Sequence, residues 1–90
     1  MRIDTADIGM SNAAEVAELG RAAIERGDVE LDLAAVQRCD SSLVAVLLDW
    51  QRAASARGLA LKVTGAPAGV LSLATVYGVE PLLSAVTADR

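Results

Sequence analysis

Ninety residues suffice for one small domain, and a hydrophobic content of 53% lets so short a chain bury a core. With one Trp, one Tyr and no Phe, that core must be aliphatic, which argues against an aromatic ligand pocket or a base-stacking surface. The 12 acidic residues outnumber 8 scattered basic ones, and a net charge of −4 without a basic patch speaks against nucleic acid and anionic lipid as direct partners.

Cys39 is the single cysteine, so no internal disulfide can form and a reducing compartment is expected. The first residues, Met1-Arg2-Ile3-Asp4-Thr5, contain no apolar core of a secretory signal. The longest apolar run, Leu43 to Leu48, falls far short of the ~20 residues that span a bilayer. These features predict a soluble cytoplasmic protein folded as one domain over residues 1–90.

In chain order, Ile3, Thr5 and Ile8 among polar neighbours give a weak strand signal that stops at Gly9. Asn12 followed by Glu15 has the spacing of a capping box. From there Val16, Leu19, Ala23 and Ile24 recur at helical spacing, and Gly27 ends this first helix. Val29, Leu31 and Leu33 alternate with Glu30 and Asp32, the pattern of a strand with one buried face. Ala34 to Cys39 reads as a connection leading to the polar corner Asp40-Ser41-Ser42.

A second helix is expected from about Ser41 to Ala56, apolar on most of its surface and stopped by Gly58. Leu59, Leu61 and Val63 alternate in a further strand, and Gly65-Ala66-Pro67 reads as a loop. A third helix from about Ala68 to Tyr77 is stopped by Gly78. Pro81 can open a last short helix through Leu82, Leu83 and Val86, before a polar tail from Thr87 to Arg90. Strands alternating with helices argue for an α/β domain with parallel neighbours and right-handed crossovers. Because the strands alternate apolar with polar residues, helices should cover one sheet face only.

Catalytic chemistry has little to stand on. There is no histidine, so the commonest general base and metal ligand are missing, and one cysteine alone makes no usual zinc site. No Walker loop or dinucleotide fingerprint occurs, and the carboxylates are spaced as solvated faces and turns. No catalytic residue, metal or cofactor is therefore expected. What remains is the corner: Asp40 or Ser41 can cap the second helix, and a hydroxyl at a helix N-terminus can also face an anion or a partner's acceptor. Both uses are compatible. Trp50 suits either core packing or an exposed interface anchor, and Tyr77 is equally open. Cys39 reads as a small, unreactive buried residue.

Asp32-Leu33, Cys39-Asp40-Ser41-Ser42, Leu47-Leu48, Arg57-Gly58 and the Leu-x-Leu-x-Val strand at Leu59 to Val63 together resemble the STAS domain family (sulfate transporter and anti-sigma factor antagonist), from about Ile3 to Val86. The resemblance implies a mixed β-sheet of about four strands with α-helices packed on one face. The N-terminus is short for the family, which leaves its usual first strand absent or merged with Met1 to Ile8.

Two branches of the family compete. In anti-sigma factor antagonists a serine of this corner is phosphorylated by an anti-sigma factor kinase, which would place the phosphate on Ser41 or Ser42. In the MlaB-like branch a small STAS subunit binds the cytoplasmic ATPase of a phospholipid-transporting ABC complex that maintains outer-membrane lipid asymmetry. There a Thr or Ser directly after the Asp, here Ser41, contributes to the contact. The short chain and the segment Leu73-Ala74-Thr75-Val76-Tyr77-Gly78-Val79 favour the second branch. Leu43 stands where antagonists usually have Gly, and its bulk is expected to hinder a kinase. The resemblance thus implies a non-enzymatic binding module in which Asp40, Ser41 and Ser42 meet the partner. Leu43, Trp50 and Tyr77 are further interface candidates. The protein would be cytoplasmic and reach the inner membrane only through its partner.

Overall fold

The computed structural model describes residues 1–67 and the backbone of Val86–Ala88. The elements run β1 (Asp7–Ile8), α1 (Ala13–Glu25), β2 (Glu30–Asp32), β3 (Arg38–Cys39), α2 (Ser42–Ala56), β4 (Lys62–Ala66) and β5 (Val86–Ala88). The α/β class expected from the alternating pattern is what the chain adopts. All described strand pairs are parallel, with β2–β4–β5 in one small sheet and β1–β3 in another. The antiparallel member that a mixed sheet requires is not among the described pairs.

The two sheets arise because one pair of chain segments meets twice. Near its start the chain runs beside β2, where Ile3 N–H donates to Asp32 O at 2.9 Å and Asp32 N–H to Met1 O at 2.8 Å. It meets the same neighbouring segment again at β1 and β3, with Asp7 opposite Arg38 and Ile8 opposite Cys39. In between, Leu33 N–H donates to Thr64 O of β4 instead, and the chain turns at Ala34–Ala35. The first strand signal, at Ile3 to Ile8, thus becomes two short contacts, and the connection from Ala34 to Cys39 contains a strand of its own.

Leu31 stands opposite Val63 in register, both fully buried, while Glu30 and Lys62 are paired on the exposed side. The inward residues of the strands join those of α1 and α2 in one aliphatic core. At its centre lies Trp50. The indole Nε1–H donates to Ala17 O at 3.1 Å, and the ring lies against Gly20 of α1. Buried Trp usually requires such an acceptor for its N–H. Trp50 is therefore a core residue with no exposed surface, and its alternative as an interface anchor is set aside.

The inward face of α1 is made by Val16, Gly20, Ala23 and Ile24, spaced four, three and one residues apart. Leu19, expected on that face, is 47% exposed, because a residue one step before Gly20 lies about 100° round the helix. The stop at Gly27 holds: its φ of +89° lets Asp28 N–H reach back to Ala23 O at 2.9 Å, which satisfies a terminal carbonyl.

The strand expected at Leu59 to Val63 begins three residues later, at Lys62. Pairing with β2 sets this register, and Leu59 is left partly exposed. Gly65 and Ala66 continue the strand instead of forming a loop. Gly65 can do so at φ +72°, where a side chain would strike the backbone of Ala34. The third helix expected from Ala68 and the helix opened by Pro81 fall outside the described residues, except that Val86 begins β5 instead of ending a helix. Thr87 and Ala88, read as part of a tail, are strand residues; Val86 and Ala88 lie opposite Val63 and Ala66 of β4.

Gly20→Ala should test the Trp50 packing. A methyl group there would overlap the indole, and overpacking typically costs about 1–3 kcal/mol, more than the about 1 kcal/mol that Ala gains over Gly in a helix. Denaturant unfolding should therefore show a net loss of stability; a more stable variant would contradict the packing.

Candidate functional site

Parallel pairing of β1 with β3 sends both strands out at the same edge. Each is followed by a loop that starts a helix, so two helix entrances lie side by side. One is the segment from Gly9 to Asn12 and the other is Asp40–Ser41. Asp40 N–H donates to Ile8 O at 3.2 Å, which joins the second entrance to the end of the first strand.

Asp40 caps α2. Its Oδ1 accepts the Ser42 N–H at 2.8 Å and also the Ser42 hydroxyl. Its backbone O accepts from Leu43 N–H at 3.1 Å. Ser41 already has helical angles, φ −62° and ψ −16°, and makes no side-chain cap. The choice between Asp40 and Ser41 as cap thus falls to Asp40, in keeping with a carboxylate's preference for a helix N-terminus. Ser42 is tied down as its partner. Ser41 is exposed, and its hydroxyl has no hydrogen-bond partner among the described residues.

The other candidates separate from this corner. Leu43 is completely buried and points into the core, so it offers neither an interface nor the steric obstacle expected of it. Trp50 supports α2 from within. Tyr77 lies outside the described residues. Cys39 is half-buried at the edge of the corner, and desolvation, followed by the negative charge of Asp40, pushes its thiol pKa up. It is held as the protonated, poorly nucleophilic form.

Three neighbours were not among the candidate site residues. Gly9 backs onto the Asp40 carboxylate. Met10, 86% exposed, is the most exposed large hydrophobic residue among those described. Asn12, expected to cap α1, makes no cap bond; its Oδ1 accepts Gly9 N–H at 2.9 Å and its Nδ2 donates to Asp7 O at 2.7 Å. The entrance to α1 is closed instead by Asn12 and Ala13 N–H groups donating to Gly9 O. A Gly-Met pair between a strand and an Asn-led helix was the available signal, but nothing in it specified proximity to a residue some 30 positions later.

From the corner a shallow groove of small residues, Ala13, Ala17, Ala45 and Val46, runs between the helices towards Asp49. Asp49 is paired there with Arg21 at 3.1 Å, and Arg21 also meets Glu18 at 3.2 Å. A larger hollow of about 510 Å³ opens on the polar side of β2 and β4, lined by Arg2, Asp28, Glu30, Asp32 and Lys62. Among the described residues no cluster of His, Cys, Asp and Glu could hold a metal ion, and no helix is long and apolar enough to cross a membrane.

The Ser42 hydroxyl, then the Ser42 N–H, hold the Asp40 carboxyl below the usual carboxylate range. A pKa lowered on folding contributes stability above the unfolded value and loses it as pH falls through the folded value. Asp40→Asn keeps a capping side chain but removes the charge. Its deficit in melting temperature relative to the parent should be largest near neutrality and shrink as pH falls below about 4. A deficit independent of pH would show that the charge contributes nothing.

A family model described as "Mlab, STAS domain" matches residues 5–84. Neither the curated proteins nor the solved structures gave a match. With most of its length covered by that family model, and with the α/β fold and the Asp-Ser-Ser corner in place, the chain belongs to the MlaB-type STAS domain family.

Proposed function

We propose that this protein is a non-catalytic STAS subunit that docks on the cytoplasmic ATPase of a phospholipid-transporting ABC complex and favours one conformation of it. The observation that carries the proposal is the state of Ser41: it heads α2 exposed, while the neighbouring Asp40 and Ser42 satisfy one another. The fold makes no use of its hydroxyl among the described residues, which leaves it available to a partner. The family match supports a binding role, since STAS domains are generally non-catalytic.

The mechanism is population shift. A rigid surface that contacts one ATPase conformation better than another moves the equilibrium by the difference in binding free energy, without chemistry of its own. Rigidity comes from below: Leu43, Leu47 and Trp50 anchor α2 in the core, so the corner is presented at low conformational cost. Association with the inner membrane would then be indirect, through the transporter.

A second reading, phosphorylation of Ser41 or Ser42 by an anti-sigma factor kinase, is favoured by one observation. Leu43 turns inward and does not obstruct the corner. Ser41 suits it better than Ser42, whose hydroxyl is engaged with Asp40. A phosphate on Ser41 would meet the positive end of α2 but also the adjacent Asp40 carboxylate.

The two readings are separated by co-purification and mass spectrometry. The ATPase should co-purify with the parent protein and be lost with Ser41→Glu, which places charge and bulk in the contact. An undiminished complex with Ser41→Glu would remove the corner as the docking point. Under the second reading, incubation with an anti-sigma factor kinase and ATP should instead leave phosphate on Ser41.

A further inference from the structure

Asp40 is held from two sides. On one side Ser42 donates both its N–H and its hydroxyl to Oδ1. On the other, Oδ2 lies over Gly9 so closely that a Cβ on Gly9 would stand 3.2 Å from Oδ2 and 3.8 Å from Cγ. The φ of Gly9 is not positive, unlike those of Gly27, Gly58 and Gly65. Gly9 therefore meets a need for space and not for an unusual backbone conformation.

Asn12 determines where Gly9 stands. Its side chain bridges the loop, accepting from Gly9 N–H at 2.9 Å and donating to Asp7 O at 2.7 Å. The backbone closes the same turn, with Asn12 and Ala13 N–H donating to Gly9 O at 3.1 and 2.9 Å. A capping Asn would direct its oxygen into α1; this one directs both polar atoms at the loop that abuts Asp40.

From this geometry we infer that Gly9 and Asn12 are positioning residues for the corner: they hold the β1–α1 loop as a wall that keeps the Asp40 carboxylate turned towards Ser42 and so fixes the direction in which Ser41 is presented. The consequence for binding rests on the docking function proposed above; the positioning itself does not. A methyl group at Gly9 would meet an exposed carboxylate that can swing aside, so the fold should tolerate it while Asp40 loses its orientation.

The test follows the Asp40 side-chain carboxyl by ¹³C NMR against pH in the free protein, beside thermal unfolding. In Gly9→Ala the Asp40 midpoint should rise towards the ordinary aspartate value of about 3.9, with little change in melting temperature. Asn12→Ala should raise it as well, since both bonds that fix the position of Gly9 are lost. A merely structural role would lower the melting temperature and leave the Asp40 midpoint in place. Binding of the ATPase to Gly9→Ala should weaken by up to about tenfold, the order of one misdirected hydrogen bond from the Ser41 hydroxyl. An Asp40 midpoint unchanged in both Gly9→Ala and Asn12→Ala overturns the inference. If the midpoint moves as expected but the parent protein does not bind the ATPase, the positioning stands and the docking function falls.

Discussion

Two residue pairs, Asp7 with Arg38 and Ile8 with Cys39, impose the constraint from which the site follows. Parallel strands place their C-terminal ends together, so the loops that follow them must leave from one edge. One loop carries Gly9 and Met10, the other Asp40 and Ser41. Neither is long enough to wander, because a helix begins within a few residues of each strand. The corner is thus composite, and its shape depends on a contact between segments about 30 residues apart. Antiparallel pairing would have sent the two helix entrances to opposite edges and left Asp40 facing solvent on both sides.

Beneath that edge the packing of α1 on α2 holds the entrances at fixed height. The large indole of Trp50 can approach the α1 backbone only because Gly20 has no side chain, and the Ala17 carbonyl satisfies its N–H. Small residues along the same seam, Ala13, Ala17 and Ala45, keep the helices close up to the corner. On the far side of the strands, Glu30, Asp32, Lys62 and Thr64 form a polar surface, so the molecule has one packed side and one solvated side in its described parts. The division between scaffold and docking surface then falls within α2 itself. Its inward residues, Leu43 and Val44 of the first turn among them, are core, while Ser41 at its head is exposed.

Much of this could be read from the sequence because it is local. The start of α2 at an Asp-Ser-Ser segment, the helix stop at Gly27 and the buried alternation of Leu31 and Leu33 each depend on a few neighbouring residues. The family resemblance rested on the same local signals. The features that escaped are those decided by tertiary partners. Leu19 has the right spacing for the core but loses its place to Gly20, because only Gly admits Trp50. Asn12 has the spacing of a capping box, yet its side chain is recruited by Gly9 and Asp7. The register of β4 is set by β2, which moves the strand past Leu59 and carries it through Gly65. Leu43 illustrates the hazard at the site itself: its position in the motif suggested an obstacle at the surface, whereas helical geometry turns it inward.

The central claim is that the corner made by these two loops is where a partner docks. Chemical-shift mapping tests it most directly, with the ¹⁵N-labelled protein titrated with the ATPase. Perturbed amides should concentrate at Gly9 to Asn12 and at Asp40 to Val44, with little change on the polar face around Glu30 and Lys62. Perturbations confined to that polar face, with the corner silent, would contradict the account.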